Sequence, residues 1–434
     1  MTVYVIGLGY IGLPTALLIA RNHRVVGVDI DSEKVDVLEQ GRLPFEEPGL
    51  QELFDEVRDR FSARTALPLA GDEHGIDDST DGDSYLVATP TPLEEQTKVA
   101  DLRHVRQAME DVAAALSPGD NVVLESTVPP GTSKHLVRPL LRESGLDPDE
   151  FGYAYCPERA IPGNTLHEMT HNDRVIGAKT DSPEDTLDLY SFVEGEILVT
   201  DPTTAEFVKL AENTHRDVNI AMANEFAGLA EAYGIDGRAA IDLANQHPRV
   251  DILSPGPGVG GHCLPIDPNF LTQNSTEGRL ISTARDINDS MTNHSMGLVR
   301  GLVSGISRPQ VTVLGVAYKG NVADTRKTPA NRFGLLAENE GYHLRFHDPH
   351  VDEFSRPLSQ FDDAVSGSDC LVLLTDHDEY ADLDPESLAS TMRHPNIVDT
   401  RGMIDRRRWE AAGFDVHVLG DGRESVVDST ADAR

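Results

Sequence analysis

The sequence predicts an α/β protein: two parallel-sheet domains joined by a helical middle. Three observations predict it. Strand and helix patterns alternate over roughly the first 200 residues, a long run free of glycine and proline begins at Thr203, and the alternation restarts at Pro309. Length agrees, because 434 residues exceed one ordinary core and suit two or three domains.

Val3-Tyr4-Val5-Ile6 reads as a short buried strand, closed by Gly7-Leu8-Gly9-Tyr10-Ile11-Gly12 and followed by helix from Thr15 to Ala20. Arg24 to Asp29 is a second strand, and Ser84 to Ala88 and Asn121 to Glu125 are two more, with helical pattern around 101 to 116 between them. Asp201-Pro202 opens the long middle helix, which runs through Asn224, Glu225 and Phe226 without a breaker until Gly228. A Pro/Gly-rich loop, Pro255 to Pro268, leads into another helical stretch ending near 305. Gln310 to Ala317, Asp369 to Thr375 and Asn396 to Asp399 then read as strands of the second sheet.

Composition narrows the function classes. Lys and Arg total 37 against 73 Asp and Glu, a net charge of −36, which disfavours nucleic acid or an anionic membrane as partner because a polyanion needs a basic stripe. Only seven of the basic residues are lysine, and acidic runs such as 77–83 and the C-terminal tail are frequent. Scarce lysine with excess carboxylate points to a protein adapted to molar salt, where self-repulsion is screened within roughly 3 Å. Three cysteines, Cys156, Cys263 and Cys370, build neither a disulfide scaffold nor a paired metal site. The start carries no basic residue before Arg21, and no run of ~18 apolar residues occurs, so a cytoplasmic chain without a membrane span is expected.

Gly7-x-Gly9-x-x-Gly12 between strand and helix is a dinucleotide-binding fingerprint: the glycines permit the tight turn, backbone approach to a pyrophosphate, and close helix–sheet packing. Asp29 ends the second strand, where its carboxylate would accept from a ribose 2′-OH and repel a 2′-phosphate, which favours NAD over NADP.

The Pro255–Pro268 loop holds the most informative cysteine. Glycines this dense before Cys263 would leave N–H groups free to face an anion, lowering the thiol pKa and holding an oxyanion. A lone cysteine is more commonly buried and inert, a description that suits Cys156 and Cys370. Neighbouring His262 is taken as structural. On the middle helix Lys209, Asn213 and Arg216 share one face, with Lys209 between Val208 and Leu210. It reads either as a semi-buried ammonium or as a surface lysine snorkelling out of a core helix.

With these residues in view, the chain resembles the UDP-glucose/GDP-mannose dehydrogenase family along essentially its whole length. The matching runs are residues 5–14 (Val5 to Pro14), Tyr155-Cys156-Pro157-Glu158-Arg159, residues 172–177 (Asn172 to Gly177), Lys209 to Glu225, residues 245–250 (Asn245 to Val250) and the Cys263 loop. The resemblance implies two Rossmann-like parallel-sheet domains joined by a central helical dimerisation domain, with NAD binding over 1–200, the helical domain and its Cys loop over 201–305, and UDP-sugar binding over 306–434. It implies oxidation of a sugar-nucleotide C6 alcohol to a carboxylate in two NAD-dependent steps. Cys263 would capture the aldehyde as a thiohemiacetal and then carry a thioester. Lys209 and Asn213 would hold the oxyanion, Asp267 would orient water or assist proton movement, Glu158 would serve hydrolysis, and Thr127 would position water.

The same resemblance places Gly7, Gly9, Tyr10, Ile11, Gly12, Asp29, Lys34, Thr91 and Arg326 on the cofactor. It places Arg159, Arg216, His247, Gly260, Lys319 and Arg401 on the UDP-sugar, and Arg249 across a dimer interface on the neighbour's substrate. No metal is implied. A surface at −36 repels diphosphates, so local cations must hold them in short pairs. His247-Pro248-Arg249-Val250 and Arg216 to Ile220 are most similar to the family's N-acetylmannosamine branch. A UDP-glucose or UDP-N-acetylglucosamine 6-dehydrogenase, and a non-catalytic nucleotide-sugar sensor, are the alternatives. NADH release with each sugar nucleotide separates them.

Overall fold

The computed structural model describes residues 1–68, 82–161, 163–179 and 183–423. The acidic run at 77–83, except Gly82 and Asp83, and the acidic tail from 424 lie outside the described residues. The chain divides into two compact units, Met1–Glu212 with Asn269–Asn274, and Asn213–Pro268 with Ser275–Arg434.

The first unit carries an eight-stranded sheet. Its strands are β1 (Thr2–Ile6), β2 (Arg24–Val28), β3 (Phe61–Arg64), β4 (Ser84–Val87), β5 (Asn121–Leu124), β6 (Gly152–Tyr155), β7 (Arg174–Ala178) and β8 (Ile197–Thr200). The order is β3-β2-β1-β4-β5-β6-β7-β8, so the chain reverses direction across the sheet beside β1. The expectation of a parallel sheet holds for every pair except β6 and β7, which run antiparallel. Helix α1 (Gly12–Ile19) follows β1 directly. Period-2 alternation explains the central strand: Val3 and Val5 join Leu17 and Phe54 in one apolar layer, and Tyr4 joins Tyr85 and Met109 in the other.

The second unit repeats the scheme with five parallel strands, β9 (Gln310–Leu314), β10 (His343–His347), β11 (Cys370–Leu373), β12 (Asn396–Asp399) and β13 (Asp415–Val418), in the order β10-β9-β11-β12-β13. Val311 and Val313 pack with Phe333 on one side, while Leu314 and Leu371 pack with Trp409 on the other.

The middle is helical, as the breaker-free run requires. Helix α2 (Pro202–Tyr233) begins in the first unit and ends in the second, and α3 (Gly237–Ala244), α4 (Asp267–Thr272) and α5 (Arg279–Leu302) follow. Asp236 caps α3 by accepting from the Ala239 N–H. Buried Asp217 on α2 accepts from Arg285 and Asn288 of α5, pinning these two helices together through a desolvated ion pair.

Candidate active site

In the first unit the glycines of the 7–12 loop divide by what surrounds them. Gly7 has φ +96°, and a Cβ there would lie 2.6 Å from the Ala88 carbonyl oxygen; a Cβ on Gly12 would lie 1.9 Å from the Gly7 carbonyl oxygen. Both are demanded by the turn and by helix–sheet packing. A Cβ on Gly9 would meet nothing within 4 Å. That open cradle lies at the N-terminus of α1, where a pyrophosphate reaches free N–H groups. Ile11 is the N-cap of α1 and Tyr10 stacks on Phe45 at 4.3 Å. The Thr89 hydroxyl, next to the Gly7 turn, is buried without a hydrogen-bond partner among the described residues.

Asp29 follows β2 as expected. Its carboxylate accepts from the Leu8 N–H at 2.9 Å, the Asp31 N–H at 3.0 Å and Lys34 Nζ at 2.6 Å. Burial disfavours its charge, but Lys34 and the two backbone donors outweigh this and hold it below the usual carboxylate range. Three acceptor sites are used, leaving one for a ribose hydroxyl. These residues fit a dinucleotide lacking a 2′-phosphate. Thr91 donates to the Thr127 carbonyl at 2.7 Å, so two residues assigned separately to cofactor and catalysis meet at the ends of β4 and β5.

Glu158 is 8% exposed, with one carboxylate oxygen accepting from the Arg159 and Ala160 N–H groups at 2.6 and 2.7 Å and the other bound by Arg174. Arg159 itself pairs with Glu212 at 2.7 Å. On α2, Lys209 is 7% exposed, which favours the semi-buried ammonium over the snorkelling lysine. Among the described residues of its own unit it has no carboxylate partner. One turn further Asn213 is half-buried, and Arg216 is exposed, so the shared face grades into solvent.

In the second unit Asn213 Nδ2 donates to Asp267 Oδ2 at 2.5 Å, and Asp267 is buried at the start of α4. The Cys263 carbonyl accepts from the Ile266 and Asp267 N–H groups at 3.0 and 2.9 Å, so this turn sets the thiol and carboxylate on one short segment. Cys263 is a half-buried thiol. Cys156 and Cys370 are buried, and burial pushes the Cys156 thiol up to about 11, which leaves it inert at neutral pH.

The glycine nest expected before Cys263 is partly used up. The Gly261 N–H donates to the Arg326 carbonyl at 2.9 Å and the Gly256 N–H to Asn224 Oδ1 at 2.9 Å. The glycines instead allow close packing: a Cβ on Gly260 would lie 2.5 Å from Tyr318 Cβ, and one on Gly256 would lie 3.2 Å from Arg401 Nη1.

Arg401 follows β12, donates to the Leu374 carbonyl at 2.9 Å and lies 3.8 Å from Asp376. Burial lowers its pKa, the mark of a guanidinium lacking a close carboxylate. Lys319 is exposed just beyond β9. Tyr318, Lys319 and Arg401 thus cluster at the carboxyl ends of the strands beside the Cys263 loop, where ligands bind in open parallel sheets. Arg326 chelates Asp324 through Nε at 2.9 Å and Nη2 at 2.5 Å. His247 and Arg249 are exposed beyond α3.

Sequence reasoning assigned no role to Arg174, Glu125, Tyr318 or Arg238. Arg238 binds the Pro255 and Thr400 carbonyls, each at 3.0 Å, and so ties α3 to the Cys263 loop and to β12. An arginine in an otherwise apolar helix turn was the available signal.

Residues 1–192 match the NAD binding domain of the UDP-glucose/GDP-mannose dehydrogenase family, 203–290 its central domain and 312–406 its UDP binding domain. The UDP-N-acetyl-D-mannosamine dehydrogenase of Methanocaldococcus jannaschii is 41% identical over 429 residues, 97% of each chain. The solved UDP-D-ManNAc dehydrogenase of Pyrococcus horikoshii superposes with a TM-score of 0.89 at 38% identity, covering 98% of this chain and 100% of its own. The UDP-N-acetyl-mannosamine dehydrogenase of Staphylococcus aureus gives 0.85 at 36% identity, covering 97% and 99%.

Proposed function

We propose, because this chain belongs to the UDP-glucose/GDP-mannose dehydrogenase family and is an NAD-dependent UDP-sugar dehydrogenase, that it oxidises UDP-N-acetyl-D-mannosamine to the uronate through Cys263. The observation that carries the substrate is similarity at 36–41% identity to proteins of that name across nearly their full lengths.

Gly9 and Asp29 would hold NAD, which when bound would supply the hydride acceptor for each oxidation. The chain does the rest. After the alcohol becomes an aldehyde, the Cys263 thiolate adds to C6; the carbonyl electron pair moves to oxygen, where the Lys209 ammonium and the Asn213 amide would stabilise it. The Asn213–Asp267 bond fixes the amide and leaves its second N–H for that oxygen. Departure of the second hydride from C6 of that oxyanion then gives the thioester, with no further proton to lose. Water, held by Thr127 and Glu158, attacks C6; its proton passes to Glu158, the C–S bond breaks, and sulfur leaves as thiolate. Lys209 belongs to the first unit and Cys263 to the second, so their convergence is part of this proposal.

For the UDP-sugar we assign Lys319, Arg401, Arg159, Arg216, His247 and Gly260, with Arg249 offered to a second copy; Tyr10, Ile11, Lys34, Thr91 and Arg326 serve NAD. The division at 1–200, 201–305 and 306–434, cytoplasmic residence and salt adaptation belong to the same reading. A homodimer would cover the exposed α2 row Met222, Phe226, Leu229 and Tyr233, spaced to lie on one helix face. No described helix is long and apolar enough to cross a membrane.

The test is a substrate panel in molar salt with NADH stoichiometry. The reading expects two NADH per UDP-N-acetyl-D-mannosamine consumed; robust turnover of UDP-glucose alone would overturn the substrate, and tight UDP-sugar binding with no NADH would overturn the enzyme.

A further inference from the structure

Beneath Glu158 lies a charge cluster that no step above uses. Arg174, first residue of β7 and 4% exposed, faces two carboxylates. Its Nη2 binds the Glu158 carboxylate, and its Nη1 lies 3.3 Å from Glu125 Oε1 and 3.5 Å from Cys156 Sγ. The guanidinium lies over the Tyr190 ring, 4.4 Å from its centre. Glu125 also accepts from the Tyr190 hydroxyl at 3.1 Å and the Thr15 hydroxyl at 3.2 Å. Thr15 stands on α1, the helix that opens at the nucleotide loop. Three other segments of the first unit, at Glu125, Cys156 to Glu158 and Tyr190, therefore meet at one guanidinium, and Thr15 joins them through Glu125. A small pocket lined by Glu158, Arg159, Asn172 and Arg174 adjoins the pair.

The arrangement leaves Glu158 very little freedom. Two backbone donors and Arg174 occupy three of its acceptor sites, so a single lone pair remains, with a fixed direction. We propose that Arg174 is the positioning residue of Glu158, and that Glu125 is the second carboxylate that holds the guanidinium in place from its other side. This inference rests on the reading above that Glu158 takes the proton of the hydrolytic water.

A purely structural pair would be a costly choice here. Burying one cation between two carboxylates desolvates three charges, and apolar residues of similar volume would serve stability as well. Electrostatics match the geometry. Burial pushes Glu125 up to about 7, opposed by Arg174 and reinforced by Glu158. Glu158 is held below the usual carboxylate range, because Arg174 and the Arg159 and Ala160 N–H groups outweigh its burial. Of the two carboxylates Glu125 thus holds a proton more readily, and Glu158 is the one kept ionised. The titratable groups facing it are Glu125, Cys156, Glu158, Arg174 and Tyr190.

Arg174→Lys keeps the charge and loses the two-sided fork. In stopped-flow mixing with NAD and UDP-N-acetyl-D-mannosamine, the variant should release two NADH per subunit in a burst near the wild-type rate. Steady-state turnover should then fall about 100-fold with KM falling in parallel, so that kcat/KM is kept, and the acyl adduct on Cys263 should be visible by intact mass. Equal slowing of burst and steady state, or no change in either, would overturn the proposal.

Glu125→Gln is isosteric: its carbonyl can accept from Arg174 and Tyr190, and its amide can donate to Thr15, so it folds even if the lysine variant does not. The wild-type hydrolysis rate should inflect near pH 7, where Glu125 ionises and draws on Arg174, and the glutamine variant should lose that inflection; its persistence counts against the assignment. Glu158→Gln supplies the control. Accumulated adduct upholds the base, whereas wild-type turnover would remove the base itself and with it the reading on which Arg174's role depends.

Discussion

One methyl group distinguishes the jobs of the glycines at 7, 9 and 12. Gly9 faces open space, so Gly9→Ala should leave the melting temperature within about 2 °C and raise the NAD Kd at least tenfold, about 1.4 kcal/mol, read by calorimetric titration. Gly12→Ala drives a Cβ into the Gly7 carbonyl and should cost about 1–3 kcal/mol or more of stability, read by urea unfolding. Equal effects of the two changes would refute this division. The same economy applies to sulfur. Cys263→Ala should abolish uronate formation and Cys263→Ser should stall after aldehyde capture, whereas Cys156→Ala, buried and far up its titration, should change stability rather than the ratio of NADH to sugar. An alanine variant at 263 producing uronate at the wild-type rate would end the covalent mechanism.

At the scale of elements, the two sheets answer the same problem differently. A carboxylate follows the second strand of each, Asp29 after β2 and Asp348 after β10. Asp29 has an acceptor site to spare. Asp348 has none: Oδ2 accepts from the Val316 and Ala317 N–H groups and from His377 Nε2, and Oδ1 from the His350 and Val351 N–H groups. The second sheet therefore fills internally the place where the first can take a ribose, which leaves the strand ends near Tyr318 and Arg401 as the place proposed for its ligand. Asp348 is drawn down to about 2: burial opposes its charge, but His377 and the backbone donors outweigh that. A depressed pKa contributes stability above the unfolded value near 3.8 that disappears as pH falls toward 2. Asp348→Asn should cost roughly 2 kcal/mol at pH 7 and flatten acid unfolding between pH 4 and 2, followed by circular dichroism. An unchanged acid transition would remove Asp348 from this role.

At the scale of the whole molecule, charge and apolar surface act together. A net charge of −36 opposes compaction once the screening length grows from roughly 3 Å in molar salt to roughly 10 Å in dilute buffer. Dialysis into 0.1 M salt should therefore unfold or inactivate the enzyme, with far-UV circular dichroism and NADH release falling together; full activity there would refute salt adaptation. High salt also strengthens apolar association. Sedimentation in molar salt should find a dimer, and Phe226→Asp with Leu229→Asp should give monomer, since both side chains stand exposed on the α2 face. A monomeric wild type would dismiss that face as an interface.

Elements with local causes were legible in the chain. Val3 to Ile6 is apolar throughout because a central strand is covered on both faces, the breaker-free run after Pro202 favours helix, and Gly7, Gly9 and Gly12 act within one turn. The Cys263 segment was legible for the same reason, since cysteine, turn and Asp267 lie within five residues. The nest beside it is less open than expected, because the Gly261 and Gly256 donors go to Arg326 and Asn224, which are distant in sequence. Arg174 was beyond reach in the same way: Thr15, Glu125, Glu158 and Tyr190 belong to separate segments, and a buried ion pair leaves no periodic trace along the chain. Sequence by itself determined the elements, the nucleotide loop and the turn that carries Cys263, all set by neighbours in the chain. Which carboxylates share a guanidinium, and which strand-end aspartate has an acceptor site left, only the tertiary structure decided, because desolvation and hydrogen-bond saturation exist only once distant segments have packed.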